Sequence, residues 1–265
     1  MKKITIDPIT RLEGHGKIDI FLNDDGDVVN AYLQIPELRG FEKFCEGRPV
    51  EEMPRITPRI CGVCPGAHHM ASTKAVDAVY HVDPPSVAKK IRELYYSAHY
   101  CHSHIANFYA LAAPDFVLGP TADPAVRNIL GVVSKVGLQI GGEVIKHRAY
   151  AQEIQAVIGG KATHSVCGLP GGVSKAVTKE ERQDFEAKAK SMVEFAKFSI
   201  KILNDVVLAN KAYVDLILSD HYTMSTYYMG LVDAKNKVNF YDGDIRVVDP
   251  KGKEVAKFKP AEYQD

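Results

Sequence analysis

The sequence predicts an α+β fold that is mainly α: a bundle of long helices with an N-terminal β-hairpin or sheet and a small C-terminal β element. Three observations predict it. Both ends of the chain alternate apolar and polar residues around turn-forming stretches. The middle, from Pro65 to about Leu218, carries apolar residues at helical spacing over long runs. Proline, glycine and capping residues punctuate those runs where helices start and stop.

In chain order, "KITIDP" alternates and stops at a proline, so it reads as a strand. "GKIDIFL" and "VVNAYLQI" flank the turn-rich "NDDGD" and read as a hairpin. From "PELRGFEKFCEGRPVEEM" onward the pattern shifts to short helices, and prolines break "EGRPVEEMPRITPRI" into turns. "PGAHHMASTKAVDAVYHV" opens with a proline suited to a first helical turn and stops before Asp83-Pro84-Pro85. The segment 85–114 reads as one long helix, with Ile91, Leu94, Tyr95, Ala98, Ile105 and Phe108 as its apolar positions. Another helix is expected from Asp123, as N-cap before Pro124, to Ile158, with Gly159-Gly160 closing it. A glycine-rich loop, "GGKATHSVCGLPGGVSK", follows. Thr178 and Glu181 stand at capping-box spacing and open a last helical run to Leu218. "YDGDIRVVDPKGKEVAKFKP" then returns to β around the turn "DPKGK".

Composition narrows the class. The chain has 265 residues, of which 46% are hydrophobic and 25% charged, enough for a sizeable core and against wholesale disorder. Formal net charge is zero, which argues against nucleic acid as a partner. No apolar run approaches the roughly 20 residues of a membrane span. No apolar stretch of about 7–15 residues follows the first lysines, so no signal peptide is expected. The five cysteines (Cys45, Cys61, Cys64, Cys101, Cys167) are odd in number and scattered, unlike a secreted disulfide framework. A reducing cytoplasm is the expected location.

"RICGVCPGAHHMAS" carries the densest chemistry. Thiolates are soft ligands for nickel, zinc, copper(I) and iron–sulfur clusters. Cys61 and Cys64 stand at the start of the expected helix, where amide donors and the helix dipole are expected to lower their pKa values. Two thiolates make half of a four-coordinate site, and no second C-x-x-C occurs in the chain. The spacing leaves open a metal half-site, zinc completed by His68 and His69, a redox dithiol, or two core thiols. Cys45 and Cys101 read as buried thiols, and Cys167 as an exposed loop residue. His99 and His102 share a helix face and are expected to pack and hydrogen-bond rather than bind metal. "DPITRLEGHGKI" places Asp7, Arg11 and Glu13 between strands. They read either as a solvated loop or as an Arg/Glu pair facing a site, with Glu13 carrying protons.

Four stretches, "DPITRLEGHGKI", "ELRGFE", "RICGVCPGAHHMAS" and "LAAPDF", occur in an order that resembles the large subunit of a nickel–iron hydrogenase. The resemblance covers essentially the whole chain, as the N-terminal portion of one large-subunit domain over residues 1–265. "CPGAHHMAS" and "LPGGVSK" look most like the cytoplasmic methyl-viologen-reducing type linked to heterodisulfide reductase. The resemblance implies roles residue by residue. Cys61 matches a terminal nickel ligand, and Cys64 the thiolate that bridges nickel and iron. His68 matches a histidine that hydrogen-bonds the bridging sulfur. Glu13 matches the glutamate that passes protons outward, and Asp115 a carboxylate in the canopy above the metals. Glu42 matches a ligand of a remote magnesium or iron ion. Arg59 precedes the motif as in the family, with no role assigned.

The implied cofactors are a nickel–iron centre, whose iron carries carbon monoxide and cyanide, and iron–sulfur clusters on a partner small subunit. Implied partners are that small subunit, heterodisulfide reductase or another electron-transfer subunit, and H2 as substrate. The family's second C-x-x-C lies beyond these residues. The chain therefore reads as a shortened gene product, a piece of a longer chain or half of a split subunit, expected to be inactive alone. Two other classes compete: a non-catalytic scaffold like the quinone-module subunit of respiratory complex I, and a structural zinc domain. Both cysteines being present argues against the first.

Overall fold

The computed structural model describes residues 2–264, which divide into two compact units, Met1–Lys188 and Ala189–Asp265. In the first unit β1 (Lys2–Ile6), β2 (Lys17–Leu22) and β3 (Val28–Gln34) form an antiparallel sheet in the order β1-β2-β3. Ile4 pairs with Ile20, and Ile20 with Ala31, so apolar residues stack on one face as the alternation requires. Asn23 closes the β2–β3 turn by accepting the N–H groups of Asp25 and Asp27.

Short helical turns follow: α1 (Phe41–Cys45), a 3-10 turn (Val50–Glu52), α2 (Met53–Ile56) and a second 3-10 turn (Thr57–Ile60). Prolines sit in the first positions of the last two, where a missing N–H costs nothing. This run leads into α3 (Pro65–Tyr80), with Cys64 at its N-cap position. α3 ends on His81 in the left-handed conformation, ahead of the prolines.

α4 (Ser86–Ala106) packs chiefly against α6 (Leu138–Gly159), and more lightly against α3. Ile91, Tyr95 and Ala98 meet the core that Ala151 and Ile154 enter from α6. Gly66 permits the close approach of α3 and α4, because a Cβ there would lie 2.9 Å from the His99 ring. A buried ion pair ties the unit together. Arg92 on α4 holds Asp77 on α3 and donates to the carbonyls of Leu169 and Gly172, while Asp77 accepts the Gly171 N–H. Those carbonyls belong to a small hairpin, β4 (Gly168–Leu169) with β5 (Gly172–Val173).

The structure corrects several expectations. The segment 85–114 does not stay α-helical; it widens into π-helical turns at Asn107–Ala112 and Pro114–Leu118. The helix expected from Asp123 begins instead at Ile129, and it is two helices. Asp123 caps only a turn, accepting the Ala125 N–H, whereas Asn128 accepts the N–H groups of Leu130 and Gly131 and starts α5 (Ile129–Val136). Gly137, at φ 93°, separates α5 from α6. Cys101 is exposed and Cys45 half-buried, because both lie on outward sides of their helices. Cys167 is fully buried, since the hairpin that follows it is drawn onto α3 and α4 by Arg92.

α7 (Lys179–Ile202) opens with the expected capping box: Glu181 accepts the Thr178 N–H, and Thr178 Oγ1 accepts the Glu181 N–H. In the second unit it widens into a π-turn (Leu203–Leu208). Asn210 then caps a separate helix, α8 (Lys211–Ile217), instead of one continuous run. The C-terminal element is a three-stranded sheet, β6 (Tyr228–Val232), β7 (Asp244–Val248) and β8 (Glu254–Phe258). β7 and β8 form the expected hairpin; β6, with a glycine at its centre, goes beyond what the alternation signals. No helix among the described residues is long and apolar enough to cross a membrane.

Candidate metal centre

Cys61, Cys64 and His68 converge. One ligand atom from each lies within 4.8 Å of the others, and all three residues are half-buried. Local folding explains the geometry. Cys61 ends the 3-10 turn in extended conformation, Cys64 caps α3, and His68 stands one turn into it. The Cys64 N–H donates to Cys61 Sγ at 3.1 Å, folding the C-x-x-C back on itself. Among the described residues this is the one group of three or more such side chains placed to share an ion.

The electrostatics differ from the sequence expectation. Burial first, and then the neighbouring Cys61 thiol, push the Cys64 thiol up to about 12. A backbone hydrogen bond lowers the Cys64 thiol as the sequence suggests, but burial and the neighbouring Cys61 outweigh it. Burial also lowers the His68 pKa and keeps that imidazole neutral. Two crowded sulfurs beside a neutral imidazole form a soft donor set whose protons leave when a cation takes their place. A thiophilic transition metal fits these residues.

His69 does not join the cluster. Its Nε2 accepts the N–H groups of Cys167 and Gly168, both at 3.0 Å, and its Nδ1 lies 2.7 Å from the Pro54 carbonyl. Both ring nitrogens are committed, so zinc bound by Cys61, Cys64, His68 and His69 does not fit.

Glu13 reaches the cluster from the β1–β2 connection: the Cys61 thiol donates to Glu13 Oε1 at 3.6 Å. The Arg/Glu pairing read from the sequence is corrected. Arg11 points to Asp115 instead, 104 residues away, with Nη1 at 2.9 Å from Oδ2, and also donates to the Leu111 carbonyl. Arg127 adds a longer contact to Asp115 at 3.7 Å. Glu42 lies exposed on α1 and outside the cluster. His99 and His102 hydrogen-bond to each other at 3.1 Å in the α4 interior, as their spacing suggested. Sequence reasoning misses the Arg11–Asp115 clamp and the His69 junction, whose partners lie about a hundred residues away. Only the bare pair "HH" hints at the second.

Residues 39–125 match the family model described as nickel-dependent hydrogenase, and residues 3–38 match one described as HoxL-like. The chain is 52% identical, over 99% of its length, to an F420-non-reducing hydrogenase iron-sulfur subunit of Archaeoglobus profundus, covering 54% of that protein. It is 48% identical, again over 99%, to a vhu-type F420-non-reducing hydrogenase subunit of Methanocaldococcus jannaschii, covering 62% of it. Among solved structures, an NAD+-reducing NiFe hydrogenase in the H2-reduced state superimposes with a TM-score of 0.91 at 34% identity. That match covers 100% of this chain and 58% of the other. The chain thus spans somewhat more than half the length of the relatives it matches. In its motifs, its fold and its convergent Cys61, Cys64 and His68, the chain is similar over its whole length to nickel-dependent hydrogenases.

Proposed function

We propose that the chain forms part of the large subunit of a nickel–iron hydrogenase that takes up or evolves H2. The observation that carries the reading is the cluster itself: two convergent cysteine sulfurs, a neutral histidine beside them and the Glu13 carboxylate touching one sulfur. Cys61, as a terminal ligand, and Cys64, as a shared one, would hold the nickel–iron pair. When bound, the pair supplies the Lewis acid and electron acceptor for heterolytic H2 cleavage. Two thiolates are half of a four-sulfur set, so the other ligands come from sequence outside these 265 residues.

This chain's own side chains handle the proton. Cys61 sulfur and Glu13 Oε1 stand 3.6 Å apart, so a proton at the sulfur passes to the carboxylate with little rearrangement. Glu13 sits on an exposed loop and hands it to solvent. His68, with a ring nitrogen within 4.8 Å of the Cys64 sulfur, is placed to tune that sulfur as a ligand. Asp115, held by Arg11, would be the canopy carboxylate that the resemblance implies. Glu42 supplies one carboxylate to a remote magnesium or iron ion whose other ligands lie elsewhere.

Carbon monoxide and cyanide on the iron, an iron–sulfur small subunit as electron acceptor, heterodisulfide reductase downstream and a cytoplasmic location complete the proposal. Elemental analysis of the purified complex tests it. Nickel together with iron is expected; zinc alone points to a structural zinc site, and absence of all three metals points to a scaffold.

A further inference from the structure

We infer that His69 is a positioning residue: it joins the run of short helical turns leading to Cys61 to the helix carrying Cys64 and His68, and so sets the convergence of the two sulfurs. The inference rests on the thiolate reading of Cys61 and Cys64 given above.

The geometry is a three-way junction. His69 lies on α3 with none of its surface exposed. Nε2 receives two backbone N–H groups, from Cys167 and Gly168, so it carries no proton. The ring proton therefore sits on Nδ1 and donates to the Pro54 carbonyl at 2.7 Å. Pro54 lies in α2, which continues directly into the turn Thr57–Ile60 and then Cys61. Thr57 makes a second tie, as its hydroxyl lies 3.0 Å from the Met53 carbonyl and 3.4 Å from that of His68.

The hairpin side of the junction is equally tight. A Cβ on Gly168 would fall 2.4 Å from Thr73 of α3, so that backbone is pressed onto the helix. Tyr95 closes the junction from α4, its ring edge-on to His69 and its hydroxyl 2.7 Å from Ser165 Oγ. By contrast Gly62 and Val63, between the two cysteines, are exposed, and a Cβ on Gly62 would meet nothing within 4 Å. Apart from the Cys64 N–H to Cys61 Sγ bond, the loop linking the sulfurs packs on nothing at Gly62, and the parts on either side of it are fixed through His69.

The chain itself can be tested with two probes. Phenylarsine oxide closes a ring across two thiols only when they converge. Co2+ reports sulfur ligation through its thiolate charge-transfer absorption. His69→Leu is expected to weaken Co2+ binding about tenfold, in line with other residues that orient metal ligands, and to slow arsenical capture. His69→Gln keeps an N–H for Pro54 and an oxygen for the two backbone donors, and is expected to restore both. His69→Asn is too short to span the junction and should resemble the leucine variant. It provides a polar alternative where leucine prevents folding, with far-UV circular dichroism checking each variant. Wild-type capture and Co2+ affinity in folded Leu or Asn variants overturns the positioning role. A wild-type chain that captures the arsenical but leaves Co2+ unbound overturns the metal reading instead, and arsenical capture then decides the role of His69.

Discussion

Arg11 grips Asp115 with two parallel hydrogen bonds, Nη1 to Oδ2 at 2.9 Å and Nη2 to Oδ1 at 2.5 Å. The pair connects the loop that carries Glu13 to the π-helical segment after α4, and Arg11 also donates to the Leu111 carbonyl. Neither residue is fully buried, so the charge attraction is screened. The fixed two-pronged geometry is what ties the Glu13 loop down.

Replacing Arg11 with lysine keeps the charge and loses the fork. Arg11→Lys should cost about 1 kcal/mol of stability, read as a shift in the urea midpoint. Asp115→Asn should cost a similar amount. The double variant should lose less than the sum, because both remove one interaction. Strict additivity would show that the pair is not coupled.

Glu13→Gln keeps the shape of the side chain and removes its capacity to take a proton. In the complete enzyme it should leave nickel and iron contents unchanged and slow hydrogen–deuterium exchange by about 10²-fold or more. Unaltered exchange would remove Glu13 from the proton route.

Cys64→Ser replaces a soft sulfur with a hard hydroxyl at the N-cap of α3. The helix start tolerates serine well, so the fold should persist while nickel–iron assembly fails. Metal analysis beside circular dichroism separates the two effects. A full complement of nickel and iron in this variant refutes the bridging role.

His99 and His102 make the first unit acid-sensitive. Burial, and then the nearby His68, hold the His99 pKa at about 4; burial, His99 and Arg148 do the same for His102. In the unfolded chain these rings take protons near the ordinary 6.5 of histidine, so between 6.5 and 4 the unfolded state binds more protons. Stability is whole above about pH 6.5 and falls as pH drops toward 4, by roughly 2–3 kcal/mol for each histidine. Denaturant midpoints at about pH 7.5 and about pH 4.5 check this, and His102→Gln should flatten the difference. An unchanged slope in that variant would mean other groups govern the acid limb.

Much of this protein is legible in one dimension, because its signals are local. The alternation of β2 and β3, Pro65 at the head of α3 and the Thr178–Glu181 capping box each depend on residues a few positions apart. The C-x-x-C and His68 lie one turn and one helical step apart, so their spacing already pointed to a common cluster, while the fold fixes how closely they converge. What required the fold were pairings whose members lie far apart and whose burial depends on all layers at once. Arg11 chose Asp115 over its near neighbour Glu13, and Cys167 went inside because Arg92 draws its hairpin onto α3 and α4. His69 became a junction because two backbone N–H groups arrived from 98 and 99 residues away. Spacing specifies what a turn or a helix does locally. Which distant polar groups must satisfy one another is decided only when the core excludes water and leaves them no other partner.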